Sequence, residues 1–490
     1  MTTLPSVRNR GGTARCDGSA RSRARSRTVP RGDPAGGGLA TVGIIHPQPR
    51  YLYAALGAAL AGFTANLGGV AQADPKRDVP DYDGRGNPDA DAESWALWIP
   101  RVVLAPLYLV NEYVLRRPLG AVVRHAERER WADEVAQVFT FGDHNQNLIV
   151  PTALYDFGLL PSVGFYYAGD DVVATGNALR LHAATWGPKW INATAADRYA
   201  IDAADRIQAR FEFKRSEDNL FFGIGPDVTG DARSRYGLER TEGSLGYRRT
   251  LSTESRFDIE AGVHRIAFIE GECCGDPSLD SRVAAGEVMA PAGYRTPYSS
   301  AFARVDLTLD SRRPRPDDGS GGYLHLKAWP SVELGEPRSW IGYGGVAGAA
   351  LDLTGHRRTL RAQLALDFVD PMTGGAVPFT EYPMLGGELM PGFVQGWLTD
   401  RSTAAAQLGY SWPVWLGFDA QARFTVGDAF GAQLDGFALR RLRMSGDFGF
   451  ATSTAHDQGF ELLVGVGTDT FEQGASISSV RVALGSRRGF

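Results

Sequence analysis

From about residue 145 onwards the sequence alternates apolar and polar residues with a period of two. In "RIQARFEFKR", Ile207, Ala209, Phe211 and Phe213 fall on one face, and Arg206, Gln208, Arg210, Glu212 and Lys214 on the other. "SRFDIEAGVH", "FARVDLTLD", "LRAQLALDF" and "FDAQARFTV" repeat the pattern. Strict alternation over eight or more residues is the signature of a strand with one apolar and one polar face. It predicts an all-β fold of about sixteen strands, running from 145–157 to 478–490.

A soluble sandwich or propeller alternates as well. Three features favour a transmembrane antiparallel barrel instead. The strands approach the ten or so residues that a tilted membrane strand needs. Their connections mostly alternate between long and short, with 157–161 and 310–322 as exceptions. The chain closes an alternating strand on an aromatic residue, Phe490, after Val480, Val482 and Leu484. In such a barrel the apolar face meets lipid, the charged face meets an aqueous lumen, and closure pairs every backbone group. Val482, Leu484 and Phe490 are the candidate assembly signal.

The amino-terminal third reads differently. Residues 1–50 carry nine arginines against Asp17 and Asp33, and 51–73 carry no charge. "YLYAALGAALAGFTANLGGVAQA" is an apolar run after a basic region and ends in Ala71-Gln72-Ala73, a small-x-small pattern that signal peptidase accepts. Residues 1–73 are therefore expected to be a basic leader and signal peptide, cut before Asp74; the alternative is a membrane anchor. Residues 74–93 form an acidic linker with three prolines. Residues 94–143 are expected to be a short helical segment, periplasmic or on a membrane face, because Pro100, Pro106 and several charges break the apolar run.

The whole chain has a formal charge of −5, so the part after residue 73 carries −12. That acidity argues against nucleic acid as a partner. The expected partners are outer-membrane lipid, the outer-membrane assembly machinery and a client protein. Cys273 and Cys274 are adjacent and can form a vicinal disulfide in an exported chain. No nucleophile elbow, zinc-helix or phosphate-loop pattern occurs, so no catalytic residue, cofactor or metal is expected. His264, on one inner face with Glu260 and Asp258, is expected to be part of a solvated wall.

One stretch breaks the alternation: "YPMLGGELMPGFVQGWLTDRS", 382–402. It is glycine-rich yet keeps large apolar residues, which a solvent loop has no reason to do. "LGGELMPGF" followed by "DRSTAAAQLGYSWPV" resembles the signature of the BamA/TamA family of outer-membrane barrels, the bacterial surface-antigen group. "NLFFGIGPD" (219–227), "LTLDSRRPRPDDGSGGYLHL" (307–326) and the terminal "GSRRGF" agree with it. The resemblance covers about 145–490.

It implies a sixteen-strand barrel whose motif loop folds back into the lumen. There Gly386, Gly387 and Gly392 would give tight turns, and Met390, Phe393 and Trp397 would pack inside. It also implies protein or lipid insertion or translocation through a weak seam between the first and last strands. Two departures stand out. Pro391 occupies the place of the family's arginine, which pairs with acids on the inner wall, and Gln407 and Ser411 stand where charges are expected. No POTRA repeat fits into 74–143. A passive pore or structural barrel is the alternative. Glu388 and Asp400 are expected to find wall partners such as Arg361 or Arg423.

Overall fold

The computed structural model describes residues 138–490, apart from 143–145, 253, 314–318, 354, 356, 416–417, 453–457, 489 and 490. The leader, the linker, most of the helical segment and Phe490 lie outside the described residues. A two-residue strand, β1 (Thr140–Phe141), precedes the barrel and stands inside the stretch expected to be helical.

Sixteen strands then follow: β2 (Asn147–Asp156), β3 (Ser162–Asp170), β4 (Asn177–Thr185), β5 (Ile191–Ala200), β6 (Asp205–Phe221), β7 (Ser234–Thr250), β8 (Arg256–Ile269) and β9 (Tyr298–Asp310). The second half comprises β10 (Gly321–Glu333), β11 (Ser339–Asp352), β12 (Thr359–Thr373), β13 (Ser402–Trp415), β14 (Phe418–Phe430), β15 (Arg443–Thr452), β16 (Gln458–Thr468) and β17 (Ile477–Arg488). Each pairs antiparallel with the next, and β17 pairs with β2, so the sheet closes on itself. Closure matters because lipid offers no hydrogen bonds to an open edge. The chain is an all-β transmembrane barrel.

The alternation resolves into two surfaces. Ile207, Phe211, Leu245, Ile259, Leu360, Leu364, Leu408, Phe424 and Val464 are exposed on the outside. Such a continuous apolar belt fits hydrocarbon and not water. The inner face is laced with ion pairs, between neighbouring strands in Arg304–Glu260 at 2.7 Å and Arg423–Asp447 at 3.0 Å, and across β11 in Lys327–Asp367 at 2.8 Å.

The long connections β6–β7, β8–β9, β12–β13, β14–β15 and β16–β17 all leave one end of the barrel. The β8–β9 connection holds a short helix, α1 (Leu279–Ala284), capped by Ser278. It also holds Cys273 and Cys274, which are bridged. The opposite end carries the start of β2 and shorter connections, apart from the ten residues 311–320 between β9 and β10.

The outward face gives a direct check. Leu364 lies near the middle of β12 and is 50 % exposed. Leu364→Arg should destabilise the barrel in lipid vesicles by about 2–4 kcal/mol, read from urea unfolding. A cost near zero would put this face in water.

Candidate functional site

The connection between β12 and β13 turns back into the barrel. Leu385, Met390, Phe393 and Leu398 are at most 1 % exposed, and Trp397 is 6 % exposed. Outside an interior these side chains would face water; burying one Leu or Phe stabilises by about 1.5–3 kcal/mol. The loop folds on itself first. The N–H of Leu385 donates to the Leu398 carbonyl at 3.1 Å, Met390 to Leu385 at 3.1 Å and Gly387 to Phe393 at 2.9 Å.

The glycines serve distinct purposes. Gly387 has φ +98°, a conformation that side chains resist. Gly392 is not a left-handed turn residue: a Cβ there would run into the Val466 carbonyl of β16, so it permits close approach to the wall. Gly386 similarly faces the Val394 carbonyl within the loop.

The wall receives this loop through neutral groups. Gln407 Nε2 and Thr425 Oγ1 both donate to the Leu389 carbonyl at 2.9 Å. Ser445 Oγ accepts from the Gly392 N–H at 2.8 Å, and Ser479 Oγ donates to the Gly392 carbonyl at 2.7 Å. Gln407 is thus the matching partner of a loop that offers backbone and no cation.

Cations come from the wall instead. Arg481 of β17 donates to the Gly387 carbonyl at 3.0 Å and to the Pro391 carbonyl at 3.4 Å. The same guanidinium pairs with Asp156 of β2 at 2.7 Å. Arg443 of β15, fully buried, pairs with Asp428 of β14 at 2.9 Å. It also donates to the carbonyls of Pro226 and Val228 at 2.8 and 2.6 Å. Arg423, expected as a partner for a loop acid, is held by Asp447. Asp400 accepts from the Arg401 N–H at 2.7 Å; burial pushes its carboxyl up, and that bond opposes the rise.

Two components escaped the sequence reading. First, the β6–β7 connection is a second filler of the lumen. Phe222 stacks on Trp397 with centroids 4.1 Å apart, and Val228 joins the same buried cluster as Met390 and Phe393. Its motif, "FFGIGP", was visible, but nothing in its spacing says which loop it meets. Second, His264 is buried and not on a solvated wall. It lies 3.3 Å from Glu381 of the β12–β13 connection and 3.0 Å from Ser300 Oγ.

The β2–β17 seam lies beside this loop and is the shortest of the barrel's ladders. Asp156, Tyr155 and Leu154 pair with Ala483, Leu484 and Gly485, and the Phe157 N–H donates to the Val482 carbonyl at 2.8 Å, whereas β7 and β8 pair from Gly237 through Thr250. At Gly485, φ is +155° and a Cβ would run into the Ala153 carbonyl. Beyond it β17 stays with β16 only, while Asn147 and Leu148 at the start of β2 pair with Phe141 and Thr140. Val480 is exposed to the outside and Val482 and Leu484 are half-buried, as one face of β17. A cavity of about 340 Å³ lies inside the seam, lined by Asp156, Glu388, Arg481 and Leu484 among others.

No protein-family model matches the chain, and no curated protein matches it. Among solved structures, the barrel is similar to that of BamA from Haemophilus ducreyi lacking POTRA domains 1–3. That match has 11 % identity and a TM-score of 0.50, and covers 70 % of each chain. CdiB from Acinetobacter baumannii matches at 9 % identity and a TM-score of 0.44, over 70 % of this chain and 60 % of that one. The chain has a BamA/TamA-like sixteen-strand barrel, the fold of an outer-membrane protein.

The packing of the loop predicts its chemistry. A cysteine placed at Phe393 should react with a water-soluble maleimide at least about tenfold more slowly than one at Met289, which is 89 % exposed. Gly392→Val should raise the labelling rate at 393 by forcing the loop off β16. Equal rates at 393 and 289 would place the loop outside the lumen.

Proposed function

We propose that this protein sits in the outer membrane and inserts or translocates protein or lipid clients through the β2–β17 seam. The loop 384–398 serves as its lock. The short-turn end faces the periplasm in this reading, and the long connections face outwards. The observation that carries it is Arg481, whose one guanidinium holds both the inward loop and Asp156 across a three-residue ladder. Each ladder bond is worth about 0.5–1.5 kcal/mol net, so a short seam opens at far lower cost than its neighbours. Moving the loop removes Arg481's backbone partners and weakens the seam at the same time.

A passive barrel is the second reading. Pro391 in place of the family's arginine favours it, since the loop-to-wall ion pair of the family is lost. The two readings separate in a folding assay. The purified barrel, with Cys273 and Cys274 replaced by serine, should accelerate several-fold the insertion of a urea-unfolded outer-membrane barrel into vesicles. A disulfide between Tyr155→Cys and Leu484→Cys, which face each other in the seam, should abolish that gain, and reductant should restore it. Vesicles with and without the protein giving equal rates would leave only the passive reading.

A further inference from the structure

The two strands of the seam part where neither has run out of length. β17 continues beside β16 to Arg488, and β2 begins at Asn147, yet their ladder stops at Gly485 and Leu154. Between Ile149 and Ala153, none of the described residues pairs with β2 on the seam side.

Backbone groups alternate in direction along a strand. The Phe157 N–H donates to the Val482 carbonyl, so odd-numbered residues of β2 turn their N–H and C=O towards β17, and even-numbered residues of β17 turn theirs towards β2. Continuing the register past Gly485 would set Ser486 opposite Ala153, Arg487 opposite Thr152 and Arg488 opposite Pro151. Ala153 could then make two bonds and Pro151 one, since proline has no N–H to give. Lipid offers these groups no other partner, so a contact that opposes the closure has to be present.

β1 makes that contact. Phe141 and Thr140 pair with Asn147 and Leu148, whose other edge is taken by β3, so β1 lies in the lane of β17. Phe139 packs against the buried cluster of Val150, Tyr166 and Ala168. Val150 adjoins Pro151, the position at which Arg488 would arrive.

We propose that residues 138–141 are a wedge. By holding the first part of β2's seam edge they keep β17 from closing onto the rest, and so set the seam at its short length. β1 and β17 compete for one edge. The competition belongs to the barrel itself, so it stands or falls separately from the passage of clients through the seam.

The test is disulfide trapping in the full-length protein in lipid vesicles, with the native cysteines replaced by serine. Thr152→Cys and Arg487→Cys come face to face when β17 closes on β2. As a non-hydrogen-bonded pair their Cα atoms would then stand about 4.5 Å apart, within disulfide reach. Tyr155→Cys and Leu484→Cys report the standing seam. Phe141→Pro takes an N–H out of the β1–β2 ladder, and Phe139→Ala removes the anchor. Each should raise trapping at 152–487 several-fold and leave trapping at 155–484 as it was. Three results would overturn the wedge. The first is trapping at 152–487 as fast as at 155–484 with residues 138–141 unaltered. The second is a rise in neither variant. The third is a fall at 155–484 in the variants, which would make β1 a support of the seam.

Discussion

Lipid supplies no hydrogen bonds, and everything in this molecule follows from that. A sheet in hydrocarbon must return to its own first strand, or leave a row of unsatisfied amides at several kcal/mol each. Fifteen of the sixteen ladders meet the demand over long runs of residues. The sixteenth, between β2 and β17, meets it with three pairs. The barrel therefore concentrates its weakness in one place, and the lumen loop is fastened at that place through Arg481.

The loop also answers a second constraint. A barrel of this size encloses more space than wall side chains fill. Here two connections enter from the same end, and Phe222, Met390, Phe393 and Trp397 form one apolar core within a charged cylinder. Such a core packs against strands whose inner faces are polar, so its contacts to the wall are backbone carbonyls and N–H groups meeting Gln407, Thr425, Ser445 and Ser479. Pro391 gives the loop no cation to pair, and the loop meets the wall without a facing acid. Asp428 is held by Arg443 from the neighbouring strand.

The strands were legible because period-two alternation is a local property. All sixteen appear within a few residues of where the pattern put them. Gly387 and Met390 could be singled out because glycine and bulky apolar residues together make no sense in a wet loop. Long-range partnerships were not legible. Nothing local in "GSLGYRRT" says that Arg248 faces Arg206, and nothing near His264 says that Glu381 will descend on it from 117 residues away. Thr140–Phe141 became a strand because β2 offers a free edge there, which no propensity scale records. Arg481 as the common anchor of loop and seam required the register of β17 against β2.

One guanidinium, that of Arg481, joins the lumen loop to the seam. Hydrogen exchange of the amides in β2 and β17, compared between the wild type and Arg481→Gln, measures it directly. Loss of the guanidinium should speed exchange at Tyr155 and Leu484 about tenfold or more, together with that of Gly387 and Gly392 in the loop. The β7–β8 ladder should remain unchanged. Faster exchange in the loop alone, with the seam as protected as before, would contradict the coupling.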